Sequence, residues 1–133
     1  MTTATLLDSC RPITDRLAEN SRGYFQRYRG WIMVLCVAAV ADLITTMRFM
    51  HAEGVEMEVH PAIRIVAHLT GPFVGPAIGK LAQLAAIGLV TLYARRIAVY
   101  VFIATIMMYS WAAWYNVWGR ELYSPLLIEW LGL

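Results

Sequence analysis

Three stretches of the sequence are long and apolar enough to cross a membrane, and they limit the fold more than any other feature. They cover residues 30–50, 76–94 and 97–118. A helix needs about 20 mostly apolar residues to cross a hydrocarbon layer of about 30 Å. An open strand would leave backbone N–H and C=O groups unsatisfied in lipid, so each stretch is predicted to be a helix. With 59% apolar and only 15% charged residues, the chain is predicted to be an all-α, polytopic membrane protein.

The charges and motifs exclude some classes of function. The formal net charge is only +2 and the arginines are dispersed, so no nucleic-acid partner is expected. The sequence has no nucleophile elbow, phosphate loop or dinucleotide fingerprint. Soluble catalysis therefore has no support, and whether the chain is an enzyme is left open.

The segment 1–29 is mixed and polar, and it precedes a single membrane domain over residues 30–133. Ile13, Leu17 and two tyrosines farther along recur near helical spacing, which predicts a short amphipathic helix on the cytoplasmic surface. A polar tail that only orients the first span would have the same composition.

The arginines predict the orientation, because positively charged flanks are retained in the cytoplasm. The N-terminal segment holds five arginines and the turn after the second span holds two. The opposite side would carry only three, which are Arg48, Arg64 and Arg120. This count predicts a multi-pass protein of the cell inner (cytoplasmic) membrane, with the N-terminus inside and the C-terminus outside.

Two short segments are predicted to lie at the outer interface. Residues 61–70 form a helix about 15 Å long that lies at the interface or dips into the bilayer. Pro61 suits its first position, where the missing N–H costs nothing. A fourth crossing over residues 61–75 is the alternative, but this stretch contains an arginine and a histidine, with one Gly-Pro break inside it and a second at its end. Residues 119–133 are too short and too charged to span.

Asp42 and Lys80 fall inside predicted spans. Each costs about 2.5–3.5 kcal/mol at the middle of a span, so each needs a partner or a wet pocket. With the first span ending near Met50, Asp42 lies about 12 Å below the outer surface at 1.5 Å per residue. With the second span entering near residues 73–75, Lys80 lies about 8–10 Å below the same surface. These depths predict an Asp42–Lys80 ion pair within the bilayer.

Other polar residues are predicted at the same level. Thr45 and Thr46 follow Asp42 by three and four residues, so at least one shares its helix face and can donate to the carboxylate. Gln83 follows Lys80 by three residues, so it can hydrogen-bond beside the lysine on the second helix in the same way. Asn116 reaches this level from the third span. The sequence therefore predicts one polar site in the outer third of the membrane.

The loop "HAEGVEMEVHP" adds acids and histidines above that site. Glu56, Glu58 and His60 alternate, so an extended chain puts them on one side. With His68, they provide the carboxylate and imidazole ligands that a divalent metal such as zinc, iron or manganese prefers. A solvated acidic loop would look the same, and a His-carboxylate acid/base pair is a further possibility.

These residues carry a resemblance to a family of small, uncharacterised bacterial integral membrane proteins. That family has Asp-x3-Thr late in the first span, an extracytoplasmic Glu-x-Asn-Pro, a Lys in the next span and an Asn near the end of the last. The matching residues here are Asp42 with Thr46, Glu58 with Pro61, Lys80, and Asn116. His60 stands where that pattern has Asn. The resemblance covers roughly residues 30–118 and implies a compact helical bundle, without an activity.

Two hypotheses of different classes follow. In the first, Asp42, Thr46, Glu58, His60, Lys80 and Asn116 form one buried polar site that binds an ion, a metal or a lipid head group. In the second, Asp42–Lys80 is a structural ion pair in an accessory or assembly subunit. A ridge of Gly71, Gly75 and Gly79 and an outer aromatic belt (Trp111, Trp114, Tyr115 and Trp118) would then pack on a larger membrane complex or a homo-oligomer. The same glycines also fit a simple helix break, and three spans enclose little of a transport pathway without oligomerisation.

Overall fold

The computed structural model describes residues 13–58 and 60–119, and within these residues every regular element is helical. In chain order the elements are α1 (Ile13–Ser21), α2 (Tyr24–Glu53), a single 3₁₀ turn (Val55–Met57), α3 (Pro61–Thr70), α4 (Val74–Tyr93), α5 (Ala98–Trp114) and a π-helical turn (Tyr115–Gly119). Of the predicted C-terminal segment 119–133, Gly119 alone is among the described residues. Residues 1–12, which include Cys10, also lie outside them.

Among the described residues, three helices are long and apolar enough to cross a membrane, which confirms the predicted all-helical architecture with three membrane-length helices. They are Tyr24–Glu53, Val74–Tyr93 and Ala98–Gly119. The second and third begin and end within two residues of the predicted bounds. The first begins six residues before the predicted residue 30 and ends three residues after the predicted residue 50. At 30 residues it is about 45 Å long, which exceeds the hydrocarbon thickness.

The early start of α2 has a packing reason. Tyr24 and Tyr28 were assigned to an amphipathic surface helix, but both belong to α2 and are buried. The Tyr24 hydroxyl shares a hydrogen bond with the Thr91 hydroxyl of α4. The Tyr28 ring lies 5.7 Å from the ring of Phe102 on α5. The two tyrosines therefore bind the start of α2 to both other long helices, and α1 is separated from it by Gly23, whose φ of 68° suits a residue without Cβ.

The long helices form one bundle around a small core. In α2 most of the buried positions are three, four or seven residues apart, so they lie on one stripe that faces the other helices. They are Tyr24, Tyr28, Leu35, Ala38, Ala39, Asp42, Thr46, Phe49 and Met50. On α5 the corresponding positions are Ala98, Phe102 and Tyr109. Asp42 thus belongs to the buried stripe of α2 and points toward the bundle.

α3 folds back and packs on the beginning of α4. A Cβ added to Gly75 would lie 2.4 Å from the Ala67 Cα, and one added to Gly79 would lie 2.9 Å from Ile63 Cγ1. Glycine at these positions allows the two helices to approach closely. The predicted ridge is therefore a packing face, but its partner is α3 of the same chain. Gly71 is not part of it, because it ends α3 with a φ of 92°.

Candidate functional site

One cavity of about 480 Å³ lies where α2, α4, α5 and the loop before α3 meet. Its lining includes all six residues that the sequence predicted to converge: Asp42, Thr46, Glu58, His60, Lys80 and Asn116. They come from four separate parts of the chain, so helix packing brings them together. Whether they form a functional site stays a prediction, but their common location is a property of the fold.

A buried ion pair forms the polar floor of this cavity. The Lys80 Nζ donates a hydrogen bond to Oδ2 of Asp42. The two residues are only 6% and 5% exposed, so solvent screens their attraction weakly. Each charge offsets the other in an apolar setting where either alone would be costly. Lys80 is also the only lysine of the chain.

Tyr109 is the third residue of the cavity floor, and the sequence did not lead us to predict it there. The Lys80 Nζ lies 3.9 Å from the centroid of its ring, within the range of a cation–π contact. The Tyr109 hydroxyl donates to Oε1 of Gln83 at 3.1 Å. Tyr109 precedes Asn116 by seven residues, which is two helical turns, and that spacing was the available signal. Gln83 was expected to hydrogen-bond beside Lys80 on the same helix. Its side chain instead bonds to Tyr109, whose ring contacts the lysine.

Asn116 links the end of α5 to α2. Its Nδ2 donates to Thr46 Oγ1 at 3.1 Å and lies 3.3 Å from Thr45 Oγ1. The Thr45 hydroxyl donates in turn to the backbone carbonyl of Asp42 at 3.0 Å, whereas the sequence suggested donation to the carboxylate. Asn116 lies in the π-helical turn that follows α5. Such turns change the direction of side chains at the end of a helix and often occur at functional sites.

Glu58 and His60 line the cavity from the loop before α3. Oε1 of Glu58 accepts a hydrogen bond from the backbone N–H of His60 at 2.9 Å. This bond holds the carboxylate beside the extended residue that precedes Pro61, the first residue of α3. His60 occupies the N-cap position without a side-chain capping bond. The loop thus contributes a carboxylate and an imidazole to the cavity.

The four proposed metal ligands separate into two pairs. Nε2 of His68 lies 3.2 Å from Oε1 of Glu56, and the side chains are 47% and 76% exposed. Glu58 and His60 line the cavity, whereas the other pair does not. In the part of the chain that the structure describes, no group of three or more His, Cys, Asp or Glu residues is placed to hold a metal ion. The described residues therefore give a divalent metal no complete ligand set.

The remaining walls are mostly apolar or aromatic. The aliphatic residues are Leu43, Ile63, Pro76, Met108 and Ala112, and the aromatic ones besides Tyr109 are Phe49, Trp111 and Tyr115. Met108 and Trp111 are 69% and 59% exposed, so the cavity reaches the protein surface beside α5. Trp111 and Tyr115, predicted as part of an aromatic belt, also line the cavity.

The fold and cavity define a class: a small helical protein with three helices of membrane-crossing length around a buried charged pair. No family model, curated protein or solved structure matches the chain. The function of the chain is therefore inferred from its own residues.

Proposed function

We propose that this protein is a small multi-pass membrane protein whose cavity binds the polar end of a membrane lipid. The observation that carries the proposal is the combination of a buried ion pair with largely apolar walls in one open cavity. A lipid presents a polar head and an apolar body, and this cavity offers surfaces for both. Its volume lies within the range of about 300–1,000 Å³ that is typical of small-molecule sites.

The charge arrangement favours a lipid over a single ion. Asp42 and Lys80 neutralise each other, so Glu58 is the one uncompensated carboxylate of the lining, which is too few ligands to enclose a bare ion. The amide of Asn116 and the hydroxyl of Thr46 add neutral hydrogen-bonding groups. Such groups suit a polar head that needs several directed contacts, since buried polar groups are costly when they are left without partners.

The proposed arrangement in the inner membrane has three crossings, with the N-terminus in the cytoplasm. The long helices α2, α4 and α5 span the bilayer, and α3 lies at or dips into the outer interface. The support is the excess of arginine at one end of the bundle, which includes Arg95 and Arg96 of the α4–α5 turn. The cavity would then open in the outer part of the membrane, where lipid head groups begin.

Reporter fusions test this topology. A reporter that is active only in the cytoplasm is expected to work at the N-terminus or in the α4–α5 turn, and to fail in the loop before α3. A reporter that requires export should give the opposite pattern. Equal activity of one reporter on both sides of α2 would contradict the three-crossing arrangement.

The alternative is an accessory subunit of a larger complex or a homo-oligomer. One argument for it was a glycine ridge that could pack on another chain. Gly75 and Gly79 are already covered by α3 and are not available to another chain. The exposed apolar residues of the long helices are what lipid contact requires. The lipid proposal is therefore preferred, and the experiment below separates the two.

Substitution of Met108 by tryptophan is expected to block the cavity. Met108 lines it and is 69% exposed, so a larger side chain has room to enter without disturbing the core. We expect at least about a tenfold loss of affinity for co-purifying lipid, equivalent to about 1.4 kcal/mol. Native mass spectrometry of protein released from a mild detergent measures the bound fraction.

Met107 provides the matched control. It is the neighbouring methionine, 66% exposed, and it is not among the lining residues. Met107→Trp should retain the bound lipid. Equal lipid occupancy in both variants would contradict the proposal, and loss of a co-purifying protein in either variant would favour the accessory-subunit alternative.

A further inference from the structure

We infer that the lipid head recognised by this cavity is cationic and carries an ammonium group. The inference rests on the proposed function, because it names the chemical class of the ligand in the same cavity. Three observations support it: the charge of the lining, the position of Glu58 and the aromatic rings of the same lining.

The cavity has one negative charge in excess. Asp42 and Glu58 are the acidic residues of its lining, and Lys80 is the one Lys or Arg among them, so the formal charge over these groups is −1. The surrounding sequence does not cancel this excess. From residue 42 to residue 80 the chain has four acids and three bases, namely Asp42, Glu53, Glu56, Glu58, Arg48, Arg64 and Lys80. Complementarity of charge therefore favours a cation.

Lys80 is poorly placed to attract an anionic head. Its ammonium donates to Asp42 and lies against the Tyr109 ring at 3.9 Å. An incoming phosphate or carboxylate would have to compete with the Asp42 carboxylate at a residue that is only 6% exposed. Removing one charge from its partner in such a place is costly. The lysine is therefore part of the floor rather than a free anion receptor.

Glu58 is the acid that remains for a ligand. Its carboxylate is held by the backbone N–H of His60 at 2.9 Å, which fixes its position without adding a positive charge. It belongs to the loop, on a different element from the α2–α4 ion pair. A ligand ammonium near Glu58 would gain a charge-assisted hydrogen bond, which is stronger than a neutral one.

The aromatic lining matches the same ligand. The Tyr109 ring already accepts an ammonium, that of Lys80, so the cavity is compatible with cation–π contacts. Trp111 and Tyr115 provide two more rings along the same wall. Tryptophan and tyrosine faces attract ammonium groups, and sites for such ligands are commonly built from several aromatic rings.

Three amphiphiles with the same twelve-carbon chain test the inference. Dodecylamine is a cation at pH 7, dodecanol is neutral and dodecanoate is an anion. Each is titrated by calorimetry into the full-length protein in dodecyl maltoside, and the same titration into Met108→Trp is subtracted to remove partition into micelles. We expect dodecylamine to bind about tenfold tighter than the other two.

Glu58→Gln is expected to reduce the affinity for dodecylamine about tenfold and to reduce that for dodecanol much less. Its matched control is Glu56→Gln, which alters an exposed acid of the same loop that pairs with His68 and does not line the cavity. Circular dichroism and gel filtration verify that both variants fold, so that a loss of binding reports on the charge.

The outcomes separate the inference from the proposed function. If dodecanol or dodecanoate binds as tightly as dodecylamine, and Met108→Trp abolishes this binding, the cationic preference is overturned while the lipid site stands. The same holds if Glu58→Gln leaves the amine affinity unchanged. If no amphiphile distinguishes wild type from Met108→Trp, the lipid site itself is overturned.

Discussion

Replacing Asp42 alone by leucine is expected to lower the free energy of unfolding by about 3–5 kcal/mol, because the Lys80 ammonium would remain buried without its partner. Lys80 is 6% exposed, so water cannot replace the lost carboxylate without opening the bundle. We expect the variant to aggregate or to unfold at a much lower temperature. Gel filtration with fluorescence detection, combined with a thermal series, measures this in detergent.

The double variant Asp42→Leu/Lys80→Leu should recover most of that loss. Two apolar residues in place of a buried ion pair are often neutral or stabilising. If the pair serves the lipid site, the recovered protein should bind lipid more weakly, because its polar floor is gone. A double variant that is stable and binds lipid normally would assign the pair a structural role only, and one that is no more stable than Asp42→Leu would contradict the pairing.

Asp15 is the matched control for these variants. It is an exposed acid in the first turn of α1, far along the chain from the ion pair. Exposed substitutions away from special features usually change stability by no more than about 0.5 kcal/mol. Asp15→Leu should therefore unfold within the range of the wild type, and a loss as large as that of Asp42→Leu would attribute the effect to leucine itself.

Gly75→Ala is expected to be the next most damaging change, with a loss of about 1–3 kcal/mol from overpacking. Its new Cβ would lie 2.4 Å from the backbone Cα of Ala67, and a backbone atom cannot rotate away as a side chain does. α3 would have to separate from α4. Because Ile63 of α3 and Pro76 of α4 both line the cavity, we expect reduced lipid binding together with the lower stability.

Gly88 provides the control on the same helix. A Cβ added there meets nothing within 4 Å. Gly88→Ala should therefore leave unfolding temperature and lipid binding nearly unchanged, since alanine is the better helix former. Equal effects of the two alanines would show that the α3–α4 approach does not depend on Gly75. Thermal unfolding monitored by gel filtration compares them directly.

The long helices were predictable because their signal is local. A continuous apolar run of about 20 residues has few alternatives in lipid, and the helix Pro61–Thr70 matches the predicted residues because Pro61 and Gly71 mark its ends. The start of α2 was not predictable in this way. It depends on contacts of Tyr24 and Tyr28 with α4 and α5. The hydrogen-bond partners of both tyrosines lie 67 positions farther along the chain, so these contacts give no local signal.

The Asp42–Lys80 pair was predictable from depth alone. Two opposite charges at one level of a membrane have few other partners, so the cost of leaving each alone selects the pair. Depth does not determine the direction in which a side chain points around the helix axis, however. This is why Tyr109 was missed and why Gln83 and Thr45 were given partners that differ from those observed.

The sequence by itself determined the helical class, the three membrane-length helices of the described residues and the height along the bundle at which Asp42 and Lys80 pair. Hydropathy and helical rise depend on composition and spacing only, so they need no knowledge of the fold. The tertiary structure decided that Asp42, Glu58, Lys80 and Asn116 surround one cavity. It also decided that the Tyr109 ring packs on Lys80 and that α3 packs against the glycines of α4. These features depend on how each helix is rotated against its neighbours, and that rotation is selected by the packing of the whole bundle.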